Sequence, residues 1–133
     1  MKDGRLQVSD LMAGDWVRSK KWAEKPFKLT SLNANLRYYY GITSNGVLVG
    51  PFLIEELEPI ILTPEILEKT GFKLDKEDGW WWLSPEIGIT FWEEGNIELE
   101  FWNKHSSANI HINYLHELQH ALILCGSDKK IEL

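Results

Sequence analysis

Cysteine is almost absent from this sequence. Cys125 is the only one in 133 residues, so the chain cannot form an intramolecular disulfide, and disulfide-stapled secreted domains are excluded as a class. No apolar run approaches the ~18 residues of a membrane-spanning helix, and residues 1–14 contain no apolar stretch of signal-peptide length. From these absences we expect a soluble, cytoplasmic protein with no membrane partner.

Glycine-rich phosphate loops, internal repeats and low-complexity segments are also missing. Tryptophan is abundant by contrast: there are seven Trp residues, in a chain that is 44% hydrophobic and 26% charged. This composition excludes intrinsic disorder, because large aromatic side chains bury much apolar area. The length predicts one small domain or two subdomains.

Charge is distributed unevenly along the chain, whose formal net charge is −6. Residues 1–40 contain eight Lys/Arg and four Asp/Glu, a net charge of +4, whereas residues 41–133 contain six and sixteen, a net charge of −10. Cations beside Trp and Tyr rings are typical of single-strand nucleic-acid binding. Because an excess of +4 is small for such a surface, nucleic-acid binding by the basic N-terminal third is an alternative and not the leading hypothesis.

Turn signals divide residues 5–60 into short strands. Asn45-Gly46 between two apolar runs predicts a hairpin with a type I′ turn, and the polar stretch Arg18–Lys28 is interpreted as a long loop or irregular hairpin. The pattern Leu-x-x-Gly-Asp-x-Val over Leu11–Val17 resembles the leading turn of small SH3-like barrels. That resemblance implies an SH3-like small β-barrel module over 5–60, of a kind that serves mostly in binding.

Residues 61–133 predict an α+β module: a short helix, an antiparallel sheet and a C-terminal helix, with the question of a core shared with the first module left open. For the short helix over 63–70, Thr63 is a good N-cap and Gly71 can take the left-handed conformation that ends a helix. A hairpin is predicted over 87–102, and the C-terminal helix over 113–125.

The register of this hairpin depends on its loop. A three-residue loop with a left-handed Gly95 produces one apolar face, in which Ile87, Ile89 and Phe91 lie opposite Phe101, Leu99 and Ile97. The opposite face then contains two tryptophans and two glutamates, namely Trp92, Glu98, Glu100 and Trp102.

The segment His116-Glu117-Leu118-Gln119-His120 matches the H-E-x-x-H pattern of zinc proteases. In that pattern two histidines four apart on a helix bind Zn²⁺, and the glutamate acts as general base on the metal-bound water. A zinc-dependent hydrolase with ligands His116 and His120 and base Glu117 is therefore one alternative. A third ligand is missing at the usual spacings, since Gly126 occupies the position six residues after the second histidine.

A helical wheel supplies the competing interpretation of the same segment. Leu115, Leu118 and Leu122 gather on one side, with His116 and His120 on the other. We therefore predict that both histidines lie on the solvent face of a helix whose apolar side covers the C-terminal core, and that the protein uses no cofactor.

Three stretches carry a family resemblance that covers nearly the whole chain. Leu57–Leu67, Gly71-Phe72 and Ile112–Gln119 together resemble a family of small uncharacterised proteins from gut-type anaerobic bacteria and their phage-like or mobile elements. That family commonly has Asn at the position of His120. The resemblance implies no assigned activity and no cofactor.

Two aromatic triplets and the hairpin tryptophans complete the set of candidate binding residues. They are Tyr38, Tyr39, Trp81, Trp92 and Trp102. Exposed rings of this kind are favoured at protein interfaces. The leading hypothesis is therefore a non-enzymatic binding or accessory protein, whose partner is another protein or a second copy of itself. The family resemblance adds to this hypothesis an origin in a mobile element.

Overall fold

The computed structural model describes residues 5–21, 25–30, 38–93, 96–103 and 105–133. The fold is mixed α+β, with two antiparallel five-stranded sheets and few helices. The chain divides into two compact units, Met1–Ile60 and Ile61–Leu133. Neither helix in the described ranges is long and apolar enough to cross a membrane.

The first unit contains one sheet with the strand order β4-β3-β2-β1-β5. Its strands are β1 (Trp16–Ser19), β2 (Phe27–Leu29), β3 (Tyr39–Thr43), β4 (Leu48–Phe52) and β5 (Leu57–Pro59), with short 3-10 turns at Val8–Asp10 and Ile54–Glu56. All of its pairings are antiparallel. Consecutive strands therefore form a meander, and β5 returns to pair with β1.

The predicted small β-barrel does not close among the described residues, although the sheet curls strongly. In a flat sheet β4 and β5 would lie about 19 Å apart, but only four residues separate Phe52 from Leu57, and three of them, Ile54–Glu56, coil into a 3-10 turn. A connection of that length spans at most about 18 Å even when extended. The sheet therefore has to bend its edges towards each other. Within the described residues these two edges are not paired with each other. Pro51 on β4 has no N–H to donate, and β5 is only three residues long, and both features disfavour such pairing.

The curl places one apolar face of the first sheet inside. The rings of Phe27 and Phe52 stack there with centroids 4.9 Å apart. Gly41 leaves room for them, because a Cβ at this position would collide with the Phe27 ring. The buried cluster consists of Leu6, Leu11, Val17, Phe27, Leu29, Tyr39, Phe52 and Leu57.

Two local expectations for this unit can be compared with the structure. The stretch Arg18–Lys28, expected to be a long loop or irregular hairpin, is confirmed as a hairpin, because β1 and β2 pair antiparallel across it. The hairpin between β3 and β4 exists, but the bond from Gly46 N–H to Thr43 C=O puts Ser44 and Asn45 at the centre of the turn. Gly46, with φ +82°, is the fourth residue of this turn and not one of its two central residues.

The second unit contains a sheet in the order β10-β9-β8-β7-β6 and two helices. The elements are α1 (Pro64–Lys69), β6 (Lys73–Leu74), β7 (Trp81–Ser84), β8 (Ile87–Glu93), β9 (Asn96–Trp102), β10 (Ser107–Ile112) and α2 (Leu115–Leu124). The sheet is again antiparallel throughout.

The hairpin of β8 and β9 has the predicted register. Ile87 pairs with Phe101, Ile89 with Leu99, and Phe91 with Ile97. Each pair shares a face of the sheet, so the apolar residues lie together on one side. The expected left-handed Gly95 lies outside the described residues. Glu93 pairs with Asn96, so a register shift near Trp92, and not the predicted three-residue loop, supplies the extra residue that keeps this pairing.

The ends of α1 form as the sequence predicts. The Thr63 hydroxyl accepts a hydrogen bond from Ile66 N at 3.3 Å and caps the N-terminus. At the other end Phe72 N donates to Leu67 O at 3.0 Å and Gly71 N to Glu68 O at 3.2 Å. These two bonds form a Schellman motif, in which Gly71 has φ +100°.

We expect Gly71→Ala to lower the free energy of unfolding by about 1–2 kcal/mol, because a Cβ is strained in the left-handed region. The nearest neighbour of such a Cβ is the flexible Lys129 side chain, at 3.2 Å, so the effect is conformational. Urea denaturation measures it, with the exposed helix substitution Glu68→Ala as control. Equal stability of Gly71→Ala and wild type would contradict the assigned helix end.

Candidate functional site

The outer face of the second sheet, opposite the apolar face of β8 and β9, presents indoles and carboxylates. We call it the indole face, defined by Asp78, Trp80, Trp82, Trp92, Glu98, Glu100 and Trp102. Its central row crosses all five strands, because Lys73 pairs with Trp82, Trp82 with Gly88, Gly88 with Glu100, and Glu100 with Asn109. Cross-strand partners point to the same side, so these side chains share one surface.

Three indoles of the face each donate a hydrogen bond to a carboxylate. Trp92 Nε1 lies 2.7 Å from Glu98 Oε2, and Trp102 Nε1 lies 3.0 Å from Glu100 Oε2. Trp82 Nε1 donates to Asp78 at 3.2 Å. A charged acceptor strengthens such bonds, so each pair holds its ring and its carboxylate together.

The rings also contact one another. The Trp80 and Trp82 centroids are 5.9 Å apart in a stacked arrangement, and Trp80 meets Trp92 edge-on at 6.2 Å. The Trp82 ring lies over Gly88, and a larger residue would not fit there, since a Cβ at this position would lie 2.6 Å from the ring. Trp80, Trp82 and Trp92 are therefore in ring contact, and Trp92 and Trp102 remain 58% and 48% exposed.

Negative charge predominates on the indole face among the described residues. Its carboxylates are those of Asp78, Glu98 and Glu100, and Lys73 is the lysine opposite Trp82 on the edge strand. His111 lies opposite Glu98 on β10. The aromatic rings add to this character, because their faces carry the negative end of the ring quadrupole.

A groove of about 610 Å³ meets the indole face at Trp92. It lies where the start of α1, the end of the β8–β9 hairpin and the residues before α2 come together. Its lining is mostly apolar and includes Ile61, Pro64, Phe91, Ile97 and Tyr114. Glu93 also lines it. An apolar side chain of a partner could therefore be buried beside an exposed indole.

The prediction for His116 is wrong: this side chain is buried, with 1% of its surface exposed. Its ring stacks on Tyr114 at a centroid distance of 6.0 Å and meets His120 edge-on at 5.8 Å. The wheel identified the apolar stripe of α2 correctly, since Leu115, Leu118 and Leu122 are buried. It could not show that the first turn is covered on a second side as well.

Glu117 caps the helix that contains it. Its Oε1 accepts hydrogen bonds from the backbone N–H groups of Asn113 at 3.0 Å and Tyr114 at 3.1 Å. This is the carboxylate half of a capping box. Within the described ranges, no group of three or more His, Cys, Asp and Glu side chains is arranged to hold a metal ion. Zinc binding by His116 and His120 stays an untested prediction.

The aromatic candidates separate into exposed and buried rings. Tyr38 is exposed, whereas Tyr39 is 6% exposed in the first core, and burial raises the pKa of its phenol. Tyr39 therefore lies in the core and not on the surface, and its predicted binding role stays untested. Trp81 is half-buried and pairs with Ile89, which places it on the opposite side of the sheet from the indole face. Of the predicted set, only Trp92 and Trp102 share the indole face, where they lie at opposite ends of the β8–β9 pair.

The basic N-terminal third is described only in part, so nucleic-acid binding by it stays an untested prediction. Trp16 is buried, with Lys28 Nζ 5.8 Å from its ring centroid. Lys21 pairs with Glu56 at 3.3 Å. Arg37 and Trp22 lie outside the described residues.

Sequence reasoning missed Trp80 and Trp82 as members of the site. The signal was present in the alternation of a strand, which places both of them on the side opposite Trp81. What the pattern could not show was the contact between Trp80 and Trp92, which are distant in sequence.

We expect His116→Ala to lower the free energy of unfolding by about 2 kcal/mol or more, because it leaves a cavity in a packed site. His120→Ala, at a half-buried position, should cost much less. Denaturation with and without a chelator measures both. If both variants lose the same amount of stability relative to wild type, and this difference disappears when a chelator is present, the two histidines instead share a metal ion.

Comparison with protein-family models, with curated proteins and with solved structures finds no match to this chain. The resemblance to the family from anaerobic bacteria and mobile elements therefore stays a prediction.

Proposed function

We propose that this protein is a non-enzymatic binding protein whose indole face recognises a cationic segment of a partner protein. The observation that carries the proposal is the set of three indole–carboxylate pairs on one exposed sheet face. Large exposed aromatic rings are uncommon away from interfaces, and Trp is enriched where partners bind.

The chemistry of the face favours a cation over an anion or a neutral ligand. A Lys or Arg head group above an indole is attracted by the ring quadrupole. Glu98 and Glu100 lie beside Trp92 and Trp102, so the same cation can pair with a carboxylate. A phosphate backbone would be repelled both by the indole ring faces and by the carboxylates of Glu98 and Glu100.

The groove beside Trp92 supports a segment that is apolar as well as basic. An aliphatic side chain next to the cation would find Phe91, Ile97 and Pro64 there. Burial of that side chain adds a hydrophobic contribution to the binding free energy. The charges orient the peptide and raise its association rate. The occupant is therefore a Lys/Arg-containing peptide segment with apolar neighbours.

The SH3-like character of the first unit and an origin in a mobile element belong to the same proposal. The first is supported by the return of β5 to pair with β1 after a four-strand meander, in a sheet that curls without closing. The second has only the sequence resemblance behind it. Both agree with a binding or accessory role.

The test is a titration monitored by tryptophan fluorescence, using a short peptide that alternates Arg and Leu. We expect binding that weakens as salt is raised, because exposed charges are screened. Trp92→Ala should weaken the affinity roughly 3- to 30-fold, the range of a cation–π contact. Glu98→Gln keeps an acceptor for the Trp92 N–H and removes the charge, so it should also weaken binding.

The matched control is Tyr40→Ala, which removes an exposed aromatic ring from the first unit. It should leave the affinity unchanged. The same peptide with Glu in place of Arg, and a neutral oligosaccharide, serve as competing ligands. If the oligosaccharide binds in a Trp92-dependent manner and the Arg peptide does not, the proposal is wrong.

A further inference from the structure

The four sheet edges in the described structure differ in how they are protected from pairing with another chain. Edge β4 contains Pro51, β5 has three residues and ends in Pro59, and β6 has two residues, one of them Lys73. Proline, lysine and short length are the usual devices that prevent edge-to-edge association. Three of these edges are therefore blunted.

Edge β10 has none of these devices. Its six residues, Ser107–Ile112, include no proline and no Lys, Arg, Asp or Glu. Its register with β9 runs unbroken from Trp102 to Ile97, so no bulge bends the strand away. Ser107, Ala108, Asn109 and His111 are all exposed. An edge of this length and composition is a template for a further strand.

From this contrast we infer that β10 pairs antiparallel with β10 of a second copy of the chain about a twofold axis. The strand alternates polar and apolar residues, with Ser107, Asn109 and His111 on the side of the indole face and Ala108, Ile110 and Ile112 on the other. Residues opposite each other in an antiparallel ladder point to the same side. Pairing centred on Asn109 or on Ile110 therefore matches polar with polar and apolar with apolar residues.

Charge complementarity favours a second copy as the occupant. Because β10 carries no formal charge outside His111, pairing with itself brings no like charges of Lys, Arg, Asp or Glu into opposition. The side chains of β10 offer a highly charged partner strand no Lys, Arg, Asp or Glu with which to form ion pairs. A twofold contact is closed by its own symmetry, and β6 at the other edge has only two residues, too few to extend the sheet further.

The dimer would contain one continuous ten-stranded sheet. A twofold axis perpendicular to the sheet keeps each face on its own side, so both indole faces would point the same way. Two such faces on one assembly could engage a repeated cationic segment with higher avidity. The association itself does not depend on the proposed ligand.

Self-association is tested on the full chain by light scattering and sedimentation, without any peptide. We expect the mass of a dimer for wild type and a dissociation constant raised at least roughly tenfold by Asn109→Lys, which places a lysine on each of the paired edges. Asn96→Lys makes the same chemical change on the interior strand β9 and is the matched control. Trp92→Ala should leave the mass unchanged, which separates this test from that of cation binding.

Oxidative cross-linking of single-cysteine variants in a Cys125→Ser background determines the register between the two β10 strands. Asn109→Cys or Ile110→Cys should form an intermolecular disulfide quickly, depending on the centre of pairing, whereas Ser107→Cys should react slowly because it lies away from the axis. A wild-type monomer at high protein concentration overturns the inference. So does a dimer that persists in Asn109→Lys, since the contact would then lie elsewhere.

Discussion

The register between β8 and β9 is the constraint on which the rest of the second unit depends. Pairing of Ile87 with Phe101 and of Ile89 with Leu99 puts the apolar residues on one side of the sheet. A shift by a single residue would move every side chain to the opposite face. Burial of the apolar face therefore also fixes where Trp92, Trp102 and their carboxylate partners lie.

The same register gives the exposed face its chemical character. Glutamates on β9 hold the N–H groups of Trp92 and Trp102 while the rings themselves remain accessible. The absence of a side chain at Gly88 makes room for a third indole over the centre of the sheet. The ring quadrupoles and the carboxylates both attract cations. The surface therefore selects ligands by their charge as well as by their apolar area.

In the H-E-x-x-H segment, two of the residues that match the zinc-protease pattern have structural roles in α2. Glu117 satisfies backbone donors at the start of α2, and His116 fills a buried position against Tyr114. Both roles follow from general features of helices: free N–H groups at the first turn, and side chains that are covered when other elements pack there. The motif match alone does not distinguish these roles from metal binding.

Local patterns in the sequence determined the helix ends at Thr63 and Gly71 and the pairing of Ile89 with Leu99. Each of these depends on residues close along the chain, on capping geometry, or on alternation within one hairpin. Tertiary structure alone decided the burial of His116, the curl and open edges of the first sheet, and the contact of Trp80 with Trp92. These features depend on how elements far apart in sequence pack and bend, which a local period does not encode.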